Sequence, residues 1–596
     1  VILSALVDLY ARLCRDDPDS MPRPGWNRRN VSFALELRPD GGVRRLVDLR
    51  DTSGKKPVPI SVLVPDHGEV RTSAAKTQPY FLCDGTAFLL GASAGMGDKA
   101  LEYLANARAL HERLLAGCDD PFARAVMAYF AGWDPAGAPA LAARGGLDWE
   151  KDVSGQNLVF ALADAPGRAH DRPALAEIWN KAFAARSPAP LGQCLVSGET
   201  RPIARLHPGI KLPGTVGNGA PVVSFNADAF TSYGLDQGLN APVAEDIVFA
   251  YTAALNTLVA RDSRRRLQLG DTTIVFWAEA PTSALSEEEA MLADLLGIGS
   301  EAEAPGLDQA VTQRVGRVLS ALIKGVPARD ALAGLDPDMR FYVLGIAAPG
   351  GSRVSLRFWE TCGFGELARR VAAYHDALHI EKRHPKDKDF FTLRDCLRAA
   401  VPLGKDDNIP GPLAAALAQA VFRGGDYPPA LLALVLARMG TEHGPYESVS
   451  TLRAGLVKAC LTRLAKDWKP TMSLDPDDID TAYRLGRLFA ALERAQQLAL
   501  GNAVNATIKD RYFAAASSGP RAVFPNLIRL AQHHLSKADA GWLDRLIGDI
   551  VDAVGGFPAM LSLEEQGRFA LGYYHQRNDM WRKKSESPES RPSTES

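Results

Sequence analysis

Ser93 has the most suggestive catalytic setting in the chain. It is the centre of Gly91-Ala92-Ser93-Ala94-Gly95, a GxSxG pattern that follows Ala87-Phe88-Leu89-Leu90, a strand-like run, and precedes a helical stretch. In a hydrolase this pattern forms a nucleophile elbow, which needs a histidine base held by an acid and an oxyanion loop upstream. No HGGG-like loop precedes Ser93. A small-residue turn is therefore the first reading, and a serine hydrolase is the alternative. His375 and His379 stand one helical turn apart around Asp376, a spacing that can bind a metal, but the glutamate of HExxH is missing. Gly214, Gly217 and Gly219 lack the strand and helix of a dinucleotide loop, and no GxxxxGK[ST] occurs, so ATP hydrolysis is not expected and no cofactor is assigned. The seven cysteines never fall in a CxxC spacing, which argues against structural zinc and a disulfide framework.

Recognition of nucleic acid is the other chemistry on offer. Pro221-Val222-Val223 reads as a short apolar strand delivering Ser224, Phe225 and Asn226 to its end. A polar loop then presents Ser232, Tyr233, Gln237 and Asn240 ahead of a helix opened by Pro242. Asn and Gln carry donor and acceptor on one planar amide, which matches base edges in either groove. Ordinary loop chemistry, with Asn240 capping the next helix, would use the same residues. Cations supply the phosphate-binding candidates: Lys55, Lys56, Arg71 and Lys76, in a stretch that also holds Arg28, Arg29, Arg44, Arg45 and Arg50 around Trp26. Glu36, Asp40, Asp48 and Asp51 lie among them, so a solvated face is the plainer reading. Arg264-Arg265-Arg266 is a denser cluster, and Arg487, Lys509 and Arg511 sit on helices whose other faces are apolar. Such basic faces can track a single strand, or simply face water.

The elements that must position these residues divide the chain in two. Val31 to Leu37, the turn Pro39-Asp40-Gly41-Gly42 and Val43 to Leu49 read as a hairpin; Cys194 to Val196 and Pro202 to Leu206 read as a second. Lys99 to Leu115 and Pro173 to Ala185 carry helical periodicity. Thr273 to Trp277 reads as a buried strand, and Arg340 to Ala347 with Arg353 to Trp359 as a strand pair. From Phe364 onward Leu and Ala recur at helical spacing. The expected fold is α+β: a mixed α/β N-terminal region with antiparallel hairpins over 1–360, a helical connecting region over 361–471, an all-α bundle over 472–583 and a disordered Pro/Ser-rich tail over 584–596.

Bulk composition sets looser bounds. Across 596 residues, 46% are hydrophobic, 23% are charged and the formal net charge is -2, so any nucleic-acid contact must come from local patches. No stretch has the length of a membrane span and the first residues lack a basic leader, which leads us to expect a cytoplasmic protein with no membrane partner.

Four segments in order resemble one family. They are Ile2-Leu3-Ser4-Ala5-Leu6; Gly192 to Pro208, running on through Val223-Ser224-Phe225-Asn226 and Ser232-Tyr233-Gly234 to Gln237-Gly238-Leu239-Asn240-Ala241-Pro242; Phe341 to Gly345 with Val354 to Trp359; and Tyr483 to Ala490 with Asn505 to Phe513 and Val523-Phe524-Pro525. Together they resemble the large subunit of the type I-C CRISPR Cascade complex, the Csd-one family, also called Cas-eight of subtype C. The resemblance implies a non-catalytic subunit that recognises a PAM on double-stranded DNA, stabilises the crRNA-guided R-loop and recruits the helicase-nuclease against invading DNA. Implied partners are crRNA, target DNA, the Cascade backbone and crRNA-handle-binding subunits, and a small subunit made by internal initiation, for which Met472 is the candidate start. The loop Ala347 to Gly351 is less polar than the family's version.

Overall fold

The computed structural model describes residues 1–16, 21–53, 57–67, 77–186, 189–215, 219–225, 227–279, 286–298, 309–442, 448–464, 467–501, 506–538 and 540–581. Two of its sheets organise the α+β part. In the first, β1 (Trp26–Val31), β2 (Phe33–Leu37), β3 (Val43–Asp48), β4 (Ile60–Pro65), β5 (Cys83–Gly85) and β6 (Asn157–Leu162) form a four-stranded sheet of order β3-β2-β6-β5 and a ribbon of β1 with β4. The expected hairpin of β2 and β3 is present and antiparallel. Gly41, at φ +84, closes its turn; a Cβ there would meet Ala128 and the Tyr129 backbone at about 2.5 Å. The sequence did not reveal that β6 pairs parallel to β2.

Both faces of this sheet are covered, which explains why β2 is almost wholly buried rather than alternating. Phe33, Leu35, Leu158 and Phe160 face helices such as Pro121–Gly132, while Ala34 and Val159 lie under Val62 and Val64 of the ribbon.

A small hairpin follows, β7 (Leu191–Gln193) with β8 (Thr200–Pro202). Its strands begin before the expected positions, and Cys194 closes the turn instead: its N–H donates to the Glu199 carbonyl at 2.9 Å, and its sulfur accepts from the N–H groups of Val196 (3.4 Å) and Ala244 (3.3 Å). The second large sheet has the order β12-β11-β10-β9, from β9 (Arg266–Leu269), β10 (Thr272–Ala278), β11 (Arg340–Ala347) and β12 (Ser355–Gly363), all antiparallel. Every residue of β10 is buried. Ile274, Phe276 and Phe341 belong to the core of the helical region, whereas Val275, Trp277, Leu344 and Ile346 face the helices Ile2–Asp16 and Glu245–Leu258.

Phe364 opens the helical part, which runs to Trp581. At its centre the helices Thr481–Leu500 and Leu563–Trp581 cross closely. A Cβ on Gly486 would lie 1.9 Å from the Phe569 carbonyl, and one on Gly572 would lie 2.0 Å from that of Tyr483.

Two local expectations fail. Ala87-Phe88-Leu89 lies in the short helix Thr86–Leu89 rather than in a strand, because its apolar side chains fill the first core from one turn. Pro221-Val222-Val223 forms no strand; Ala220 makes only an isolated bridge with Ile210. The 584–596 tail lies outside the described residues. Among the described residues no helix is long and apolar enough to cross a membrane.

Candidate nucleic-acid interface

The polar loop is a built structure. Asn240 Oδ1 accepts from the Ser232 N–H at 2.8 Å, and its Nδ2 donates to the carbonyls of Leu235 (2.8 Å) and Gln237 (3.0 Å). All of its bonding is internal, so Asn240 is a positioning residue. It does not cap the next helix, whose N-cap is Ala244. Arg205 donates to Gln237 Oε1 at 3.0 Å, and the Gly238 N–H donates to the Arg205 carbonyl at 3.0 Å. Gly238 must be glycine: a Cβ would sit 2.2 Å from the Ala204 carbonyl.

Held this way, Tyr233 (φ +54) and Gln237 (φ +44) occupy the left-handed region, where a non-glycine residue costs about 1–3 kcal/mol. Tyr233 is wholly exposed at the loop apex, with Phe230 and Leu235 partly exposed beside it. Ser232 is exposed and Gln237 half-buried.

The base of the loop is fixed to the helix Glu245–Leu258. His207 Nδ1 and the Tyr251 hydroxyl are 2.6 Å apart, and burial pushes His207 down to about 4. Burial raises the Cys194 thiol, but the N–H groups of Ser197, Ala244 and Val196 outweigh it and leave the thiol below its ordinary range.

The cation candidates separate by environment. Lys55, Lys56, Arg71, Lys76 and Asn226 lie outside the described residues. Of the other basic residues in that stretch of sequence, Arg29 pairs with Asp66 at 2.8 Å, Arg45 with Glu36 at 2.7 Å and Arg50 with Asp48 at 2.6 Å. Arg264 is half-exposed and meets Asp294 at 2.6 Å; Arg266 reaches Gln268 at 2.8 Å. Arg265 is buried against Glu289, Arg487 is buried on Gln576 (3.0 Å) and the Pro476 carbonyl (2.7 Å), and Lys509 is buried on the Glu442 carbonyl (2.8 Å) and Ser448. Those three cations hold the interior together and offer no surface charge. Arg511 is exposed.

Sequence reasoning gave no functional role to Phe230 or to Arg353, whose guanidinium lies 4.5 Å above the Phe230 ring. The signal available was the turn Pro349-Gly350-Gly351, which returns Arg353 toward the loop; nothing in the spacing named its partner.

Among the described residues no acid or base partner meets the catalytic candidates. The Ser93 hydroxyl faces that of Ser154 at 3.5 Å, its only hydrogen-bond partner among the described residues, and the elbow's strand is a helix. His375 is buried with Nε2 3.4 Å from the Leu295 carbonyl, and burial lowers it to about 4. No group of three metal-ligating side chains occurs among the described residues.

Residues 6–581 match the family described as CRISPR-associated protein (Cas_Csd1). The chain belongs to that family. As a Csd1-family protein it is the large subunit of a type I-C CRISPR complex, and the matched residues span both sheets and the helical part. No curated protein matches the chain.

Proposed function

We propose that this Csd1-family subunit engages target DNA without making or breaking a bond. It recognises the PAM on double-stranded DNA, stabilises the crRNA-guided R-loop and recruits the helicase-nuclease, in the cytoplasm and beside the backbone and crRNA-handle-binding subunits. Sequence is read by RNA and DNA pairing, while the protein reads the PAM and the phosphate backbone.

The observation that supports this most is the loop from Ala227 to Asn240. It holds Tyr233 in a strained backbone conformation, fully exposed, with Gln237 beside it and Asn240 as an internal brace. Strain held by dedicated hydrogen bonds marks a segment whose shape serves recognition. Gln237, Tyr233, Ser232 and Asn226 are the proposed base-side residues; Lys55, Lys56, Arg71, Lys76, Arg264, Arg266 and Arg511 are proposed to meet phosphate. Met472, in the exposed segment before the helix Thr481–Leu500, is proposed as the internal start of the small subunit.

The test is capture of a matched duplex by the reconstituted complex, with and without this chain and with cognate and altered PAM. The proposal expects PAM-dependent capture only when the chain is present. Equal capture in its absence overturns it.

A further inference from the structure

One face of the second sheet carries a row of aromatic rings that grows more exposed toward the free edge. Trp277 of β10 is buried; its ring centroid lies 5.4 Å from that of Tyr342 on β11. Tyr342 in turn stacks on Trp359 of β12 at 5.4 Å and 17°. The helices Ile2–Asp16 and Glu245–Leu258 cover Val275, Leu344 and Ile346 on this face. They stop short of the edge, where Tyr342 and Trp359 are half-buried and Leu356, opposite Ile346, is 51% exposed.

The strip continues into the DNA-engaging loop. Arg353, two residues before β12, is exposed and stacks on Phe230, which is 41% exposed and three residues from Tyr233. From Arg353 to Trp359 the extended chain covers about 20 Å, which spans at most about six nucleotides at duplex spacing. The acid beside Tyr342 on the strip is already matched: Glu279 pairs with Arg340 at 3.5 Å.

We infer that this strip carries an unpaired DNA strand as it leaves the opened duplex, its bases stacked on Trp359 and Tyr342 and a phosphate held by Arg353. Aromatic platforms interleaved with cations bind single strands without sequence preference. A polypeptide strand added to the same edge fits less well. The bulge where β12 passes Gly345 and Ile346 breaks the regular row of donors and acceptors that strand addition requires. The inference rests on the DNA-engaging role proposed above.

The test uses the full chain and a fluorescein-labelled oligothymidylate of twenty nucleotides, read by anisotropy at low salt. Trp359→Leu and Tyr342→Leu are each expected to weaken binding about tenfold, Arg353→Ser to reduce the salt slope by about 0.7, and Trp359→Phe to stay within about threefold of wild type. Photocrosslinking of the wild-type chain to an iodouracil-substituted strand, mapped by peptide mass spectrometry, needs no variant and is expected at Trp359 or Tyr342. Crosslinks confined to other regions overturn the inference, as does an affinity within twofold of wild type for folded Trp359→Leu. So does loss of a neighbouring subunit from that variant with oligonucleotide binding intact, which makes the strip a protein surface. A wild-type chain that binds neither oligonucleotide nor PAM duplex in the complex defeats the DNA-engaging role itself. PAM-dependent capture with unaltered oligonucleotide affinity defeats only the strip.

Discussion

Arg12 and Glu289 meet at 2.8 Å in the interior, with almost no exposure of either side chain. Arg265 grips the other carboxylate oxygen through two nitrogens at 2.8 and 3.0 Å, and the N–H groups of Ala278 and Ser286 complete the shell. One carboxylate thereby ties the first helix, β10 and the helix Glu287–Leu295 together. Burial alone would raise the Glu289 carboxyl, but Arg265 and Arg12 outweigh it and hold it below its ordinary value.

Removing one member of a buried ion cluster leaves the others uncompensated, at a cost of about 3–5 kcal/mol. Glu289→Ala is therefore expected to lower the thermal midpoint sharply, while exposed Glu287→Ala leaves it nearly unchanged. The pH dependence has a definite sign. A carboxyl depressed in the folded state contributes stability that is fully present above its unfolded value of about 4.3 and is lost as pH falls through the folded value. Thermal melts from pH 6 down to pH 3 are expected to show a decline in wild type that Glu289→Ala lacks.

The reciprocal approach of Gly486 and Gly572 gives a second expectation. A methyl group at either position would overlap a backbone carbonyl of the facing helix, which must move as a whole to admit it. Gly486→Ala and Gly572→Ala are each expected to destabilise by roughly 1–3 kcal/mol or more and to expose the helical part to limited proteolysis. Gly548→Ala is the control: Gly548 is exposed in the helix Gly541–Val554 with nothing within 4 Å of its added carbon, so alanine is expected to stabilise by about 0.5–1 kcal/mol.

These two sites also show what the sequence carried and what it did not. The periodicity that announced helices from Phe364 onward, the hairpin of β2 and β3, and the apolar run of β10 all report local burial, so a single segment reveals them. Residues that meet across tens to hundreds of positions leave no local trace. Arg265 looked like a surface cation because Arg264 and Arg266 flank it, yet its partner Glu289 is buried in a helix whose first turn is otherwise acidic. Lys509 and Arg487 misled for the same reason. The polar loop was legible in composition, but whether Asn240 faces a base or its own backbone depended on φ angles at Tyr233 and Gln237 that no propensity supplies.

Lys509 provides a titration of the same sense at the alkaline end. Burial pushes its amine down to about 8, below the unfolded value of about 10.4. Between those values the unfolded chain binds more protons than the folded one, so this group's contribution to stability rises with pH across that window. Lys509→Met removes the contribution. The midpoint of wild type relative to Lys509→Met is expected to shift in favour of wild type from pH 8 to pH 10, as differential scanning calorimetry of the two proteins in parallel would record.

The loop separates shape from contact. Asn240→Ala deletes three internal hydrogen bonds and touches no proposed base contact, so it is expected to act by releasing Tyr233 and Gln237 from their strained geometry. Gln237→Ala keeps the Asn240 brace, whose bond to position 237 is made by the backbone carbonyl, and removes the side-chain amide together with its hydrogen bond from Arg205. If Gln237 reads a base edge, its loss reduces the preference for the cognate PAM by about 1–3 kcal/mol, about fivefold to a hundredfold in relative affinity, while binding to altered PAMs hardly changes. Lys55→Ala with Lys56→Ala is expected to weaken all duplexes alike and to flatten the salt dependence, as loss of phosphate contacts does. Binding of cognate and altered duplexes by the assembled complex across a salt series distinguishes the three. A Gln237→Ala complex that keeps full PAM preference removes this residue from the readout, and an Asn240→Ala complex that also keeps it shows that the strained loop serves the fold instead.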